Sequence, residues 1–433
     1  MLAAKKKYEW PLIIANIFFA TSFLVVTVFQ NLGIALNFFL LFLVFLAKNK
    51  LNSAKIKIMV EDAHVIFLFY FVFYISFVVV SFINMFVSGV SYIKFYPGIF
   101  GRMVNVTIFF VFFLFVINEK NRNNISTRTL LNAYLIGCYI LLFFGIWQTL
   151  NFLFHIPYPN FYTRDHIHSI EEANLLSLFT RRVTSIAREP AFLVPYLIDA
   201  IIMIFYTSIY IFKKFFLIAL FVGVLFFTLS FAGYMNMLLL ISMMLVFARK
   251  TIKTLLAKIV FLLCSFFGVY LLQNVILSVF QRLNPQELFL SSRLQNSILS
   301  LRFMFSEASL FNILFGFGPR GFSYIRNYIF RPSGWQQGEM IDVTSHVIFV
   351  DFFVDFGIVG VSMIILLFCY LFMLSTKTYN STGNRLGQVL CLNLVITSLY
   401  TADYASPRFT VIIILLLCLY KDARDRKIVA TSI

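Results

Sequence analysis

Residues 65–86 read VIFLFYFVFYISFVVVSFINMF, and this stretch decides the fold class of the chain. It contains no charged side chain and exceeds the ~20 apolar residues that cross the hydrocarbon core of a bilayer as an α-helix. Similar runs recur along the sequence, in which 61% of the 433 residues are hydrophobic and 12% are charged. A soluble core cannot hold so much apolar surface, and a β-barrel would show short alternating segments instead. The sequence therefore predicts an all-α integral membrane protein with many crossings.

The other apolar runs lie on both sides of this one, and together they predict about twelve transmembrane helices. The runs are residues 10–29, 32–47, 65–86, 97–116, 130–153, 191–212, 215–231, 234–247, 259–280, 358–374, 386–399 and 410–420. We therefore divide the chain into helices 1–5 (residues 1–154), a first large loop (155–190), helices 6–9 (191–280), a second large loop with short helices (281–357), and helices 10–12 with a tail (358–433).

Lysine is distributed unevenly among the loops, and this predicts the orientation. Every second loop is rich in lysine, beginning with Lys5, Lys6 and Lys7 before the first run. Because cationic loops mark the cytoplasmic side, both termini are predicted to be cytoplasmic and both large loops to face outward. The outward loops instead carry arginine, whose planar guanidinium binds phosphate or carboxylate through two hydrogen bonds. The alternative is that these arginines pair with acidic residues of the same face or with lipid headgroups.

Two further features of the composition exclude other classes of function. A net charge of +17 would suggest nucleic-acid binding in a soluble protein. Here the lysines follow the membrane topology, so no nucleic-acid partner is expected. The cysteines all lie inside apolar runs and read as small buried hydrophobic residues, with no disulfide framework or metal cluster. They are Cys138, Cys264, Cys369, Cys391 and Cys418.

The first group of candidate site residues ends the first large loop. The sequence from Arg181 to Pro190 reads RRVTSIAREP, and its proline suits the first turn of a helix. Three arginines and Glu189 at the membrane surface could bind an anion, helped by the backbone N–H groups of the helix end. Glu189 could instead serve only as a favourable charge at the start of that helix.

The second group lies within the second large loop. A stretch with helical spacing of apolar residues carries Arg293 and Arg302. It leads to the sequence GFGPRG, from Gly316 to Gly321, which includes Arg320. Three glycines in so short a stretch predict a tight turn and a close approach of another backbone.

His346 begins the third group, which continues with Asp355 and Gly357. Thr344 or Ser345 is predicted to cap a short helix over about residues 346–356. In the first turn of that helix the dipole would favour a neutral imidazole, which can accept a proton from a hydroxyl group. The alternative is a histidine that only hydrogen-bonds the loop backbone.

Other ionisable residues are weaker candidates. Asp199 lies about two turns inside the sixth run, and an intramembrane acid is a functional candidate by default. It either pairs with an arginine of the outer face or lines a cavity. Arg408 is predicted to lie at the membrane interface. The histidines of the first large loop form no ligand set with convincing spacing, so no metal site is predicted.

These three groups, in this order in a chain of about twelve helices, resemble the O-antigen polymerase (Wzy) and O-antigen ligase superfamily of bacterial membrane glycosyltransferases. The residues that match its three motifs are Arg182, Ser185, Glu189 and Pro190; then Ser292, Arg293, Gly316 and Gly318; then His346, Asp355 and Gly357. The sequence departs from the family at Ser185, where Gly is common, at Ser297, where an aromatic residue is common, and at Asp355, where Glu is usual.

The resemblance implies a GT-C-like fold in the bacterial inner (cytoplasmic) membrane, with the active site facing the periplasm. It implies an undecaprenyl-diphosphate-linked oligosaccharide as donor, no cofactor or required metal, and a Wzz-like chain-length-regulating co-polymerase as partner. Glycosyl transfer needs a stabilised leaving group and an activated acceptor hydroxyl. The catalytic candidates are therefore His346, Glu189, Arg293 and Arg182, and the further substrate-binding candidates are Arg188, Arg302, Arg320 and Asp355.

Three functions remain open at this point. A polymerase transfers a growing chain onto the next lipid-linked repeat unit, whereas a ligase transfers finished chains to lipid A–core. The Glu-Pro form of the first motif favours the polymerase. The third function, a flippase for lipid-linked oligosaccharides, would more often show internal repeats, charged residues inside helices and short loops.

Overall fold

The computed structural model describes residues 13–14, 39, 64–88, 92–122, 124–159, 183–187, 190–207, 210–228, 230–246, 292–319, 321–322, 325, 347–400, 404 and 406–431. Within these ranges the chain is helical apart from connecting turns and contains no β-strand. The predicted all-α class is confirmed for this part of the chain. The runs predicted at residues 10–29, 32–47 and 259–280 lie almost entirely outside the described residues.

The helices follow one another along the chain with short connections wherever both neighbours are described. They are α1 (His64–Ile75), a π-helical segment (Ser76–Val80) that leads directly into α2 (Ser81–Ser88), α3 (Tyr92–Asn121), α4 (Thr127–Phe154), α5 (Pro190–Tyr206), α6 (Ile211–Phe227), α7 (Phe231–Val246), α8 (Ser292–Ser306), α9 (Leu310–Phe315), α10 (Ile348–Thr382), α11 (Leu386–Thr397) and α12 (Pro407–Thr431).

Several of these helices are typical of a membrane protein. Those long and apolar enough to cross a bilayer, among the described residues, are His64–Asn84, Ile99–Asn121, Thr127–Phe154 and Ile348–Thr382. Shorter apolar helices cover Pro190–Tyr206, Ala232–Met244 and Leu386–Thr397. Large apolar side chains such as Phe71 and Phe143 point outward, being 59% and 60% exposed, as expected of a surface that faces lipid. The twelve crossings and the GT-C-like arrangement stay predictions.

Helix α10 lies at the centre of the packing. It contacts α1, α8, α9, α11 and α12, while α12 also contacts α3 and α4, and α5 contacts α4, α6, α7 and α11. Aromatic rings fill the space where these helices meet: Phe73 of α1 packs on Phe356 of α10, with ring centroids 5.1 Å apart. Both rings also contact Tyr404, which precedes α12.

Helix ends gather into two groups, which we name by what they carry. The motif end contains the end of α2, the starts of α3, α5, α10 and α12, and residues 183–187 and 316–318; here Ile348 N donates to the Ser398 carbonyl at 2.9 Å. The lysine end contains the end of α3, the start of α4, the turns from α5 to α6 and from α10 to α11, and the last turns of α12. There Lys120 pairs with Asp422.

Some helix boundaries differ from the prediction. The predicted sixth run extended to residue 212, but α5 ends at Tyr206, and Lys213 and Lys214 lie in the first turn of α6. The predicted tail is helical as well, because α12 continues to Thr431. Arginine and lysine are good helix formers, so charge ends the apolar run without ending the helix.

The third motif is helical and has a break where one was predicted. Gly357 has non-helical backbone angles (φ 64°, ψ −159°) within α10, so the predicted end of a short helix at this glycine is confirmed. The predicted start and cap are wrong. The helix begins at Ile348, two residues after His346, and its N-cap, Val347, provides no side-chain hydrogen bond.

Candidate active site

The turn between Gly316 and Gly318 packs directly against the break in α10. Phe317 N donates to the carbonyl oxygen of Val354 at 2.9 Å, and Gly318 N donates to that of Asp355 at 2.8 Å. Two carbonyl groups that precede the break therefore receive their hydrogen bonds from the second motif. The second and third motifs form one structural unit at the motif end.

Glycine is required on both sides of this contact. A Cβ atom at Gly316 would overlap the carbonyl group of Asp355, and one at Gly357 would overlap that of Leu314. Gly316 and Gly357 also have φ angles of 75° and 64°, which side chains disfavour. The close backbone approach predicted from the glycine spacing is confirmed, and its partner is the backbone of the third motif.

Asp355 is buried at the break in α10 and joins three elements. Its Oδ1 accepts a hydrogen bond from Gly321 N at 2.7 Å, and its Oδ2 accepts one from Tyr404 Oη at 2.8 Å. Burial, and then the negative charge of Asp355, raises the pKa of Tyr404, so this hydroxyl stays protonated and donates. Because both carboxylate oxygens accept hydrogen bonds from the protein, Asp355 positions the turn, and its contact with substrate stays a prediction.

Arg102 of α3 lies on the other side of Tyr404. Its guanidinium carbon is 4.6 Å from the centroid of the Tyr404 ring, and its Nε donates to the hydroxyl at 3.4 Å. A cation over an aromatic face is favourable, more so away from water. The contacts from Arg102 to Tyr404 and from Tyr404 to Asp355 therefore connect α3 to the second and third motifs.

Gln148 of α4 fixes the residues that precede α5. Its Oε1 accepts hydrogen bonds from Thr184 N at 2.9 Å and Ser185 N at 2.7 Å. Ser185 Oγ donates to the carbonyl of Leu141 at 2.7 Å, and Ser185 has a φ of 56°, in the left-handed region that favours glycine. The middle of the first motif is thereby attached to α4 through side chain and backbone together.

Asp199 and Arg408 form a buried ion pair between α5 and α12. Arg408 Nε lies 2.6 Å from Asp199 Oδ2, and Arg408 Nη2 lies 2.9 Å from Oδ1, so the pair is bidentate. Asp199 is 0% exposed and Arg408 is 7% exposed. Of the two alternatives for Asp199, pairing with an arginine is confirmed, and the assignment of that arginine to the outer face stays a prediction. Arg408 is buried within the bundle, and its predicted position at the membrane interface stays a prediction.

Further side chains complete the hydrogen bonds of this pair. Tyr134 Oη donates to Asp199 Oδ2 at 2.8 Å, and Asn393 Nδ2 donates to Oδ1 at 2.7 Å. Arg408 Nη1 donates to Thr397 Oγ1 at 2.7 Å. A buried ion pair is stable only with such additional bonds, since both charges have lost their water. The network joins α4, α5, α11 and α12 inside the bundle, next to the motif end.

The predicted site residues are described to different extents. Arg182, Arg188, Glu189, Arg320 and His346 lie outside the described residues. Arg293 belongs to α8, but its side chain lies outside them as well, while Arg302 is exposed on the same helix. The catalytic and substrate-binding roles of all seven stay predictions.

Sequence reasoning did not single out Arg102, Tyr404 or Gln148. For Arg102 a signal was present, since it is a single charge inside the apolar run of residues 97–116. For the other two the only signal would have been their partners, which lie far away in the sequence. Tyr404 contacts Asp355 across 49 positions, and Gln148 contacts Ser185 across 37.

Comparisons with known proteins do not assign a family. No protein-family model matches the chain, and a search of curated proteins finds no match. Among the described residues, no three His, Cys, Asp or Glu side chains lie close enough to hold a metal ion. The resemblance to the polymerase and ligase superfamily thus depends on the three motifs quoted above and on the predicted topology.

Proposed function

We propose that this protein is an O-antigen polymerase, a metal-independent membrane glycosyltransferase. It transfers a growing undecaprenyl-diphosphate-linked polysaccharide onto the next lipid-linked repeat unit at the periplasmic face of the inner membrane. The product is the O-antigen chain of lipopolysaccharide. In this proposal both termini are cytoplasmic, and a Wzz-like co-polymerase regulates chain length.

One observation carries this proposal: the second and third motifs contact each other directly, and the first leads into a helix that further contacts link to them. The Gly316–Gly318 turn of the second motif donates hydrogen bonds to the α10 backbone of the third. The first motif leads into α5, whose Asp199 pairs with Arg408 of α12. Four residues before Arg408, Tyr404 donates to Asp355 of the third motif. Such links between motifs far apart in the sequence are expected if the three motifs form one site.

Local geometry at Ser185 gives further support. The superfamily commonly has glycine at this position, and Ser185 has a positive φ that favours glycine. A serine here keeps the turn at the expense of some strain, and its Oγ hydrogen bond to Leu141 offsets part of that strain. The departure from the family pattern at Ser185 is therefore compatible with the same backbone.

The proposed reaction is a displacement at the anomeric carbon of the donor sugar. The bond from this carbon to the diphosphate oxygen breaks, and a bond to the acceptor hydroxyl oxygen forms. His346 accepts the proton of that hydroxyl, with Glu189 as the second choice of base. Arg182 and Arg293 stabilise the negative charge that develops on the departing undecaprenyl diphosphate, so no metal ion is needed.

Three other groups have supporting roles in this proposal. Arg188, Arg302 and Arg320 provide further positive charge for the diphosphate or hydrogen bonds to the sugars. The polyprenyl chain of the donor lies in an apolar cleft between helices. Asp355 holds the glycine turn of the second motif against α10 of the third.

The test is substitution of the two residues with the most specific roles. We expect Arg293→Ala and His346→Ala to abolish long O-antigen ladders in the native bacterium at normal protein levels. Loss of a general base costs about 10²–10⁴ in rate, and loss of a charge-stabilising donor costs about 10²–10³. Arg128→Ala, an exposed change at the lysine end, is the matched control and should keep its ladder. Normal ladders from both site variants would contradict the proposal.

A deletion strain distinguishes the ligase from the polymerase, and an assay of the purified protein distinguishes the flippase. Deletion of a polymerase leaves a single repeat unit on lipid A–core, whereas deletion of a ligase leaves none. Purified protein incubated with a lipid-linked repeat unit separates the flippase, since only a polymerase lengthens the saccharide. A strain without any repeat unit on the core, or a purified protein without product, would reject the polymerase.

A further inference from the structure

The lysine end contains a cavity between three helices that the proposed function does not use. It has a volume of about 1010 Å³, at the upper end of the range for small-molecule sites. Tyr206 at the end of α5 and Tyr379 near the end of α10 form two of its walls. The turn from Thr382 to Arg385, which leads into α11, forms the third.

Positive charge faces this cavity without a matching carboxylate. Arg385 lies over the ring of Tyr379, 5.0 Å from the centroid, and its Nη2 donates to the Tyr379 hydroxyl at 3.3 Å. Lys214 Nζ donates to the carbonyl of Phe205, which also lines the cavity. Neither cation has a carboxylate partner among the described residues. A guanidinium held over a tyrosine ring is oriented in advance for an anion.

The start of α11 adds to the preference for an anion. Arg385 is the N-cap of this helix, and the helix dipole directs partial positive charge to the same turn. Asn384 Oδ1 accepts a hydrogen bond from Leu386 N, which keeps the turn in shape. The cavity therefore combines one lining cation, Arg385, with the positive end of a helix, and Lys214 is bonded to the backbone of a lining residue.

Exposed aromatic side chains lie on the cavity wall at Phe205 and at the start of the next helix, α6. Phe205 is 51% exposed, and Tyr210 and Phe212 at the start of α6 are 71% and 73% exposed. Large exposed aromatic side chains beside cations are typical of the boundary between lipid and water. A soluble anion would gain nothing from these rings, whereas the acyl chains of a lipid would pack on them.

We propose that the cavity binds the headgroup of an anionic phospholipid, with Arg385 as the main contact to its phosphate. Basic pockets between transmembrane helices at the lysine-rich side are where such headgroups bind. Lys214, which is hydrogen-bonded to the carbonyl of the lining residue Phe205, contributes the second charge, while the acyl chains follow the aromatic residues of α6. This site lies at the other end of the bundle from the proposed active site and does not depend on the proposed function.

Lipid-dependent stability of the full-length protein tests this proposal. The protein is placed in nanodiscs of phosphatidylcholine alone or with phosphatidylglycerol, and the bound lipids are counted by native mass spectrometry together with the unfolding midpoint. We expect phosphatidylglycerol to be retained and to raise the midpoint. Arg385→Ala should retain about fivefold less of this lipid, as expected for one lost cationic contact.

Arg128→Ala provides the matched control, because Arg128 is exposed at the same end but does not line the cavity. It should retain phosphatidylglycerol as the wild type does. Arg385→Lys keeps the charge but loses the guanidinium over Tyr379. It should retain an amount of phosphatidylglycerol between those of the wild type and Arg385→Ala, which separates lost binding from lost folding. Equal loss in Arg385→Ala and Arg128→Ala, or no loss in either, would overturn the proposal. So would equal stabilisation by inorganic phosphate added to phosphatidylcholine discs.

Discussion

At the scale of single residues, the Asp199–Arg408 pair is the most demanding feature of the described structure. Both partners are buried, and Tyr134, Asn393 and Thr397 provide the remaining hydrogen bonds. Removing one member leaves a charge without a partner in apolar surroundings, where it cannot regain water. Breaking a buried pair in this way costs about 3–5 kcal/mol, whereas replacing both partners with apolar residues is often neutral.

We therefore expect Asp199→Leu and Arg408→Met each to lower the stability of the folded protein by about 3–5 kcal/mol. The double variant should regain most of that loss, because no charge is left unpaired. The measurement is the unfolding midpoint of the purified protein in detergent, with Arg128→Met as the exposed control. A double variant whose loss equals the sum of the two single losses would show that the pair does not act as a unit.

Sequence predicted one half of this pair. Asp199 is an acid inside an apolar run, and from that alone an arginine partner on the outer face could be expected. That Arg408 is this partner, and that it is buried, could not be predicted, because its position at the start of an apolar run indicates only that it lies near a helix end. Such a partner 209 positions away is fixed by the fold alone.

At the scale of elements, α9, its glycine turn and the break in α10 behave as one unit. Gly316 and Gly357 each lie against a backbone carbonyl of the other segment. Gly383, after the end of α10, has a similar φ of 69° but no atom within 4 Å of a Cβ. Gly357 and Gly383 thus share a strained backbone conformation, but only Gly357 has a neighbouring backbone where a Cβ atom would lie.

We expect Gly357→Ala to destabilise the protein clearly more than Gly383→Ala. The control change adds only the strain of a side chain at positive φ, about 1–2 kcal/mol. Gly357→Ala adds the overlap with Leu314, which must separate α9 from α10. Unfolding midpoints measure the difference, and limited proteolysis between α9 and α10 reports the separation. Equal effects of the two substitutions would show that the close approach is unimportant.

The glycines of this unit made it partly predictable. Their spacing indicated a tight turn, and Gly357 indicated where the helix of the third motif breaks. What the glycines contact could not be predicted, since Gly316 and Asp355 approach through backbone atoms that every residue possesses. The wrong cap has a similar origin: Thr344 and Ser345 are good N-cap residues, but Val347 occupies that position.

At the scale of the whole molecule, the lysine end and the motif end follow the loop charges. Lys120, Lys214 and Arg385 lie at one end of the bundle, and the three motifs lie at the other. Helix α4 connects the two ends, with Arg128 exposed near its start and Ile156 exposed just beyond its end. If the charge rule sets the orientation, these two positions face opposite sides of the membrane.

We expect Ile156→Cys to react with a membrane-impermeant maleimide in cells whose inner membrane is intact. Arg128→Cys should react only after that membrane is disrupted, because the lysine end is cytoplasmic in the proposed topology. The wild-type protein, with its native cysteines, sets the background of labelling. The reverse pattern would invert the topology and place the candidate active site in the cytoplasm.

Helix α10 also has a mechanical consequence. From Gly357 to Thr382 it is an unbroken rod, about 38 Å long at the rise of an α-helix. A change of about 5° in its bend at Gly357 would move the far end by about 3 Å. One end of this helix segment, at Gly357, packs against the glycine turn of the candidate active site. The other end, near Thr382, forms part of the wall of the cationic cavity. A ligand that fixed the position of the Thr382 end would therefore also restrict the bend at Gly357.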